Sequence, residues 1–441
     1  MTAPEHLTIS GPEDILGYIP HSLGYRPSES LVAMTMQGKR LGATLRVDLP
    51  TGGGRRSREA FARTVAEYLL ADKDADGTLL VFFADGGFDD DGREGGAASS
   101  LRPLLADLEC ALGLAGMPVR DAWRVGAEYW RNVYCTDNGC CPLPGRPVTE
   151  IRDSRLNAEM VYLGSSVGAP PGAASPGNAD TPAADDADVM AAERAWDLAL
   201  AGKRTHRAQF DAVLDAWAAA LQTVSPDAIP EGAVPLDSGP LATGEGGGLE
   251  PELAGFLRAS LRVPAWRDAV LVMAAAGRAA AAAGAEAFGI FSAGTGQAVS
   301  CPPLPEVRLS PLLPEQSEDS VGDAAASGCG PDALPGYGEV LLGLSPRVPD
   351  WDTLKRLERL MHDLSSCGGG EAQAAALTAT GWIEWCRGRG SFADASLTRA
   401  LEASPGYRLA ELLSEVVRRG TLCGWAGRRE AAWQKFGSDA A

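Results

Sequence analysis

The chain has 441 residues, a hydrophobic share of 45% and a formal net charge of −19. It is long enough for two or three domains and apolar enough to bury a core. The negative balance argues against a surface built to condense on nucleic-acid phosphates or anionic lipid, because such binding rests on clustered Lys and Arg; neither nucleic acid nor a membrane is expected as a partner.

At the start, "MTAPEHLTISGPEDILG" has no basic segment followed by an apolar one, so no secretory leader is read there and a cytoplasmic protein is expected. Ser10-Gly-Pro-Glu13 fits a capping box, with Pro12 in the first turn where its missing N–H costs nothing. A short helix should run to about Tyr18, before Pro20. The stretch "GYRPSES" follows, then Leu31 to Met36, a turn at 37–40, and Leu41 to Leu49, whose apolar residues alternate with polar ones. That period of two marks a hairpin with one wet face.

Phe61, Val65, Tyr68 and Leu69 fall on one helical stripe, and Thr78 to Ala84 is an apolar run of strand length. Leu101 to Leu114 reads as a second helix. Trp123, Val125, Ala127 and Tyr129 mark one alternating strand leading into Cys135. The order hairpin, helix, strand, helix, strand predicts an α/β domain, a mixed sheet flanked by helices, over residues 1–167.

Residues 168–188 are rich in Pro, Gly, Ala, Ser and Asp and read as a disordered linker. Helical patterns occupy 189–293, broken by a Gly/Pro loop at 225–248. Their most apolar stretch, Ala269 to Phe291, is mostly alanine and holds Arg278 and Glu286, too weakly apolar to span a bilayer. A second low-complexity linker runs over 294–349, with a short ordered piece expected at Val340 to Leu344. From 350 to 441 an all-helical domain is expected. Within it, Gly381, Gly388, Ala393, Leu397, Ala400, Leu401 and Pro405 stand where a tetratricopeptide-like hairpin, near 375–420, wants small or apolar residues.

The nine cysteines are odd in number and scattered, which argues against a disulfide framework. Three of them cluster in "YCTDNGCCPLPG". Cys135, Cys140 and Cys141 supply soft ligands, and "TDNG" is short enough to bring the first thiol back to the pair. Tetrahedral zinc wants four ligands; His21, near the start of the neighbouring strand, is the candidate for the fourth. A packed structural turn and a reactive thiol are the competing readings. Zinc is the one cofactor that this set suggests.

Other patterns resolve to bland accounts. "GSSVG" centres Ser166 in a nucleophile-elbow spacing, but no helix can follow through "APPGAASPG". "DGGFDDDG" fails as a calcium loop because Gly87 and Ala98 occupy positions that need carboxylates. "GEGGG" and "GTGQAV" lack the lysine of a phosphate loop and read as flexible connections. Trp123, Tyr129, Trp130 and Tyr134 read as sheet core, with ligand stacking the alternative. The arginine pairs at 418–419 and 428–429 complement helix ends.

"ISGPEDILGYIPHSLGYRPSESLVAM" (Ile9 to Met34), "ATLRVDLP" (Ala43 to Pro50), "YWRNVYCTDNGCCPLPGRPV" (Tyr129 to Val148) and "RALEASPGYRLAELLSEVVRRG" (Arg399 to Gly420) together resemble the actinobacterial family known as domain of unknown function 4192. The low-complexity inserts depart from that pattern and leave the central helices poorly anchored to it. The resemblance implies that these blocks share one framework; it carries no activity, substrate or catalytic residue.

If the first and last strands run antiparallel, the cysteine turn and the "GYRPSES" loop meet. Gly24, Tyr25, Pro27, Ser28, Ser30 and Tyr134 would then line a small polar pocket beside the thiols. Nothing in the chain forms a complete acid–base or nucleophile constellation. The expected function is therefore a non-enzymatic ligand-sensing or protein-interaction module, with a protein partner docked by the helical C-terminal region. The alternative is a zinc-dependent hydrolase built on Cys135, Cys140 and Cys141.

Overall fold

A computed structural model describes residues 9–50, 54–84, 101–172, 184–224, 249–292, 299–305 and 334–434. The acidic loop at 85–92, the loop at 225–248, "GEGGG", Cys329 and most of both linkers lie outside the described residues. Two compact units divide the described residues: the first takes those up to Pro170 together with Gln434, and the second those from Pro171 to Trp433.

The first unit is a six-stranded mixed sheet in the order β2-β1-β3-β4-β5-β6. Its strands are β1 (Ser30–Gln37), β2 (Arg40–Asp48), β3 (Gly77–Phe83), β4 (Val119–Val125), β5 (Tyr129–Asn132) and β6 (Arg146–Pro147). The helices are α1 (Pro12–Leu23), α2 (Arg55–Leu69), α3 (Leu101–Leu114), α4 (Val148–Arg152) and α5 (Arg155–Tyr162). Alternation sorts the strand side chains between two layers. Leu31, Ala33, Leu80, Phe82 and Ala122 pack with α2 and α3, while Val32, Met34, Val81, Trp123 and Val125 pack with α1 and α4. Among the six described strands, β3 and β4 are the neighbours that pair in parallel, joined through α3.

Three local expectations change. Gly11, not Ser10, caps α1, and the Asp14 carboxylate accepts the backbone N–H of Ser10 at 2.9 Å and of Leu156 at 3.2 Å. Helix α1 also continues through Pro20 to Leu23. A proline in the last turn forfeits one hydrogen bond, which the burial of Ile19, Pro20 and His21 outweighs. The single strand read from Trp123 to Tyr129 is instead two strands that turn at Gly126 and pair antiparallel, Val125 opposite Trp130.

The second unit is helical: α6 (Ala184–Leu200), α7 (Arg207–Thr223), α8 (Pro251–Leu261), α9 (Pro264–Ala287), α10 (Tyr337–Leu341), α11 (Trp351–Ser366), α12 (Gly370–Cys386), α13 (Gly390–Ala403) and α14 (Arg408–Arg418). The central and C-terminal helices, read from sequence as separate regions, share one core. Helix α9 is long and apolar enough by composition to cross a membrane, yet Gly277 breaks it (φ 87°) and Arg267 is paired with Asp268 and the Tyr407 hydroxyl. Its Trp266, Val270, Leu271 and Val272 belong to the shared core.

Four indole N–H groups tie connecting segments and the short helix α10 to this core. Trp351 donates to the carbonyl of Ala431, Trp382 to Leu341, Trp385 to Thr421 and Trp425 to Pro346, at 2.7–3.0 Å. In the α12–α13 hairpin a Cβ on Gly381 would stand 2.8 Å from Leu397 Cγ and 3.3 Å from the Ala393 carbonyl oxygen, so the two helices approach as closely as they do because residue 381 has no side chain. Gly381→Val is expected to cost roughly 1–3 kcal/mol of unfolding free energy through overpacking, read by urea denaturation; an unchanged midpoint would refute the close contact.

Beside that hairpin, Glu358 of α11 and Glu384 of α12 are buried and hydrogen-bonded to each other, with Arg387 Nη1 at 2.8 Å and 3.4 Å from their oxygens and Arg389 Nε 3.2 Å from Glu384. Burial, then the neighbouring Glu358, pushes the Glu384 carboxyl up to about 7; for Glu358 burial is outweighed by Arg387 and the bond from Glu384, and its carboxyl is held down. The folded state therefore keeps a proton on Glu384 that the unfolded chain releases above about 4.5. Stability from this group is fully present below that value and is lost as pH rises through about 7. Because Gln stays neutral, the Tm of Glu384→Gln relative to the natural chain should rise between pH 5 and pH 8 in a thermal melt series. A constant difference would sink the shared-proton assignment.

Candidate functional site

The cysteine turn is the connection between β5 and β6 at the edge of the sheet. Asn132, the last residue of β5, anchors its near end. Its Oδ1 accepts the backbone N–H of Tyr134 at 2.9 Å and of Cys135 at 3.1 Å, while its Nδ2 donates to Asp121 at 2.6 Å. Asp137 folds the far end back: its Oδ1 accepts from Gly139 N–H at 2.8 Å, and its carbonyl accepts from Cys140 and Cys141 at 3.2 and 2.7 Å. Short Asn and Asp side chains that bond the chain two residues on produce such turns. At the exit Gly145 (φ 155°) lies against Trp130, where a Cβ would meet the Trp130 carbonyl oxygen at 2.8 Å. This close approach lets Arg146 pair with Trp130.

The turn brings the three sulfurs together. The Sγ atoms of Cys135, Cys140 and Cys141 all lie within 4.8 Å of one another. Zn–S bonds of about 2.3 Å put tetrahedral sulfurs roughly 3.8 Å apart, so a modest closure of the turn would seat an ion. Cys135 is half-buried, Cys140 exposed and Cys141 buried. A backbone hydrogen bond at Asp137 and then the Cys141 side chain hold the Cys135 thiol below its ordinary range, favouring thiolate; burial pushes Cys141 up to about 11.

The expected fourth ligand is elsewhere. His21 is 1% exposed on α1, with Nδ1 3.0 Å from Ser165 Oγ and Nε2 2.9 Å from Asn157 Oδ1. An amide oxygen can only accept, so Nε2 carries a proton; in the neutral ring Nδ1 then accepts the Ser165 hydroxyl. His21 joins α1 to α5 and to the turn after it, and the clustered ligand atoms among the described residues are the three thiols without it.

The polar pocket expected beside the thiols is likewise not formed. β1 runs antiparallel to β3, β3 parallel to β4 and β4 antiparallel to β5, so β1 and β5 run parallel, with two strands between them. Three strand spacings separate them by roughly 14 Å. The loop before β1 and the turn after β5 consequently leave opposite ends of their strands. Gly24 closes α1 with its N–H on Pro20 (φ 86°), Tyr25 is buried and bridges to Gly168, and Pro27 is buried. Ser28 is exposed and lends its carbonyl to the Ser30 hydroxyl, which also accepts from Arg46 Nε at 2.9 Å. Tyr134 does adjoin the thiols in sequence, but its hydroxyl is spent on Glu109 of α3 at 2.5 Å; burial first, then Glu109, raises its pKa and keeps the proton in place.

Ser166 lies in the turn that ends α5, where Ser165 N–H closes on the Met160 carbonyl after Gly164 (φ 86°). Sequence reasoning missed the two side chains that build the thiol turn. The available signal was their spacing: Asn132 and Asp137 each stand three residues before a cysteine of the cluster.

These features define a class: a mixed α/β sheet unit with a thiol-bearing edge hairpin, followed in the chain by a helical unit. The chain belongs to the family described as Domain of unknown function (DUF4192), which it matches over residues 12–288 and 350–422. That span includes the central helices, left unanchored by the sequence blocks. No curated protein and no solved structure matches the chain significantly.

Replacing His21 by Ala would leave Ser165 and Asn157 without their buried partner. The expected loss is roughly 1–3 kcal/mol of stability, measured by denaturant unfolding, with any zinc uptake of the natural chain unchanged by elemental analysis. Loss of zinc from a variant that is still folded would restore His21 as a ligand.

Proposed function

We propose that this protein is a non-enzymatic cytoplasmic module whose α/β unit takes up a thiophilic divalent ion, zinc foremost, on Cys135, Cys140 and Cys141. The observation that carries the reading is the three-sulfur cluster, held by a turn whose shape is set by Asn132 and Asp137 rather than by the thiols themselves. Soft thiolates select zinc and similar ions over magnesium or calcium. The Asp137 carboxylate, the acid nearest in sequence, is turned to the Gly139 amide and is not poised as a general base. The helical unit supplies the surface for a protein partner, and α14 keeps Leu412 exposed. Deleting residues 351–441 would remove α11 to α14 from the core that they share with α6 to α9, so a partner is better sought with surface substitutions such as Leu412→Asp than by truncation.

Three protein ligands leave one tetrahedral position to water, which is the composition of hydrolytic zinc sites. For that reason the hydrolase reading stands second.

Protein purified without added metal should retain close to one equivalent of zinc, and Cys135→Ser or Cys141→Ser should lose it while the circular dichroism stays unchanged. Ion uptake must displace the Cys141 proton, so affinity measured by chelator competition should rise with pH, by about tenfold per unit for each proton released. Absence of zinc together with no uptake on titration would dispose of the metal reading. Turnover of an activated ester by the zinc-loaded protein, lost in Cys135→Ser, would put the hydrolase first.

A further inference from the structure

Tetrahedral zinc asks for four ligands, and the turn offers three. Each of the three sulfurs is hydrogen-bonded to the other two, so Cys135, Cys140 and Cys141 stand at the corners of one triangle. No histidine, aspartate or glutamate among the described residues joins them. His21 is held by Ser165 and Asn157, the Asp137 carboxylate by the Gly139 amide and the Tyr134 hydroxyl by Glu109. Cys141 is buried while Cys135 is half-buried and Cys140 exposed, so a small solute reaches the triangle from one side. Trivalent arsenic makes three bonds in a pyramid and keeps a lone pair where a fourth ligand would stand. It is also a soft centre, and soft centres select thiolate sulfur. A triangle of thiols with no fourth donor fills its valences, whereas the same triangle leaves zinc one position short.

We propose that Cys135, Cys140 and Cys141 together bind trivalent arsenic, taken up as arsenous acid, through three As–S bonds. The inference rests on the sulfur cluster of the preceding reading and not on zinc uptake. In each of three successive substitutions a cysteine sulfur attacks arsenic, an As–S bond forms, an As–O bond breaks, and the hydroxyl departs with the thiol proton as water. Three thiols and one arsenous acid give one tris-thiolate and three waters, and neither arsenic nor sulfur changes oxidation state. The turn, shaped by Asn132 and Asp137, makes the second and third substitutions intramolecular and so raises the effective concentration of their sulfurs. All three sulfurs are needed, and they share one role.

The test uses the full reduced chain under argon with sodium arsenite. Native mass spectrometry should show one arsenic gained and three hydrogens lost per chain, carried after trypsin on peptide Asn132–Arg152, which holds all three cysteines. X-ray absorption at the arsenic edge should show three sulfur neighbours and no oxygen. Each of Cys135→Ser, Cys140→Ser and Cys141→Ser should weaken arsenite binding by about a hundredfold or more, measured in competition with a dithiol. The variants should all keep phenylarsine oxide, whose arsenic needs only two sulfurs, and that retention separates loss of the third sulfur from loss of the fold. An oxygen left on arsenic in the natural chain, or any one serine variant that binds arsenite as tightly as the natural chain, would overturn the proposal. Arsenite added to zinc-loaded protein should release the zinc to a chromogenic chelator. Arsenic uptake by a chain that takes no zinc would fail only the metal reading, whereas zinc uptake without arsenic uptake would fail only this inference.

Discussion

The geometry of the thiol turn depends on two short polar side chains accepting backbone N–H groups. Asn132 ends β5 by capturing the amides of Tyr134 and Cys135, and Asp137 bends the chain so that Cys140 and Cys141 return to Cys135. A free loop of this length would pay conformational entropy to gather three sulfurs; here the hairpin, pinned by the Trp130–Arg146 pairing and by the bare backbone of Gly145, has already met that requirement. The same arrangement distinguishes the thiols. A backbone hydrogen bond favours the Cys135 thiolate while burial opposes ionisation at Cys141.

Strand order decides what can accompany the thiols. With β3 and β4 between β1 and β5, and with β1 and β5 parallel, the hydroxyls of the "GYRPSES" loop cannot reach the cysteine turn. They serve the chain locally: Ser30 closes onto Ser28 and receives Arg46, and Tyr25 is buried under the Gly168 bridge. His21 faces the helical layer of α1 and α5, where burial requires both ring nitrogens to be satisfied and Ser165 and Asn157 satisfy them. A buried histidine paired on both sides is a structural strut, and this accounts for its separation from the thiols.

In the helical unit, packing and polar satisfaction work together. The apolar faces of α6 to α14 meet in one core, and four of its tryptophans turn their N–H groups to carbonyls of connecting segments and of the end of α10. Each indole covers apolar surface and removes an orphaned carbonyl at once. Gly381 permits the tight α12–α13 approach, and the Glu358–Glu384 pair with Arg387 fills the polar corner beside it.

Much of the architecture was legible in the amino-acid sequence because it follows from local periodicity. The hairpin of β1 and β2, the buried strand β3, helix α3 at Leu101–Leu114 and the small-residue seam of α12 and α13 are all consequences of which residues alternate and which recur every three to four positions. The gathering of Cys135, Cys140 and Cys141 was legible for the same reason, since a four-residue spacer can close on itself. The sequence did not settle the break at Gly126, the continuation of α1 past Pro20, the common core of central and terminal helices, or the company kept by His21 and Ser30. Those were decided by strand order and by helix faces meeting across long stretches of chain. Periodicity says which side of an element is apolar, and only three-dimensional packing chooses what that side is buried against.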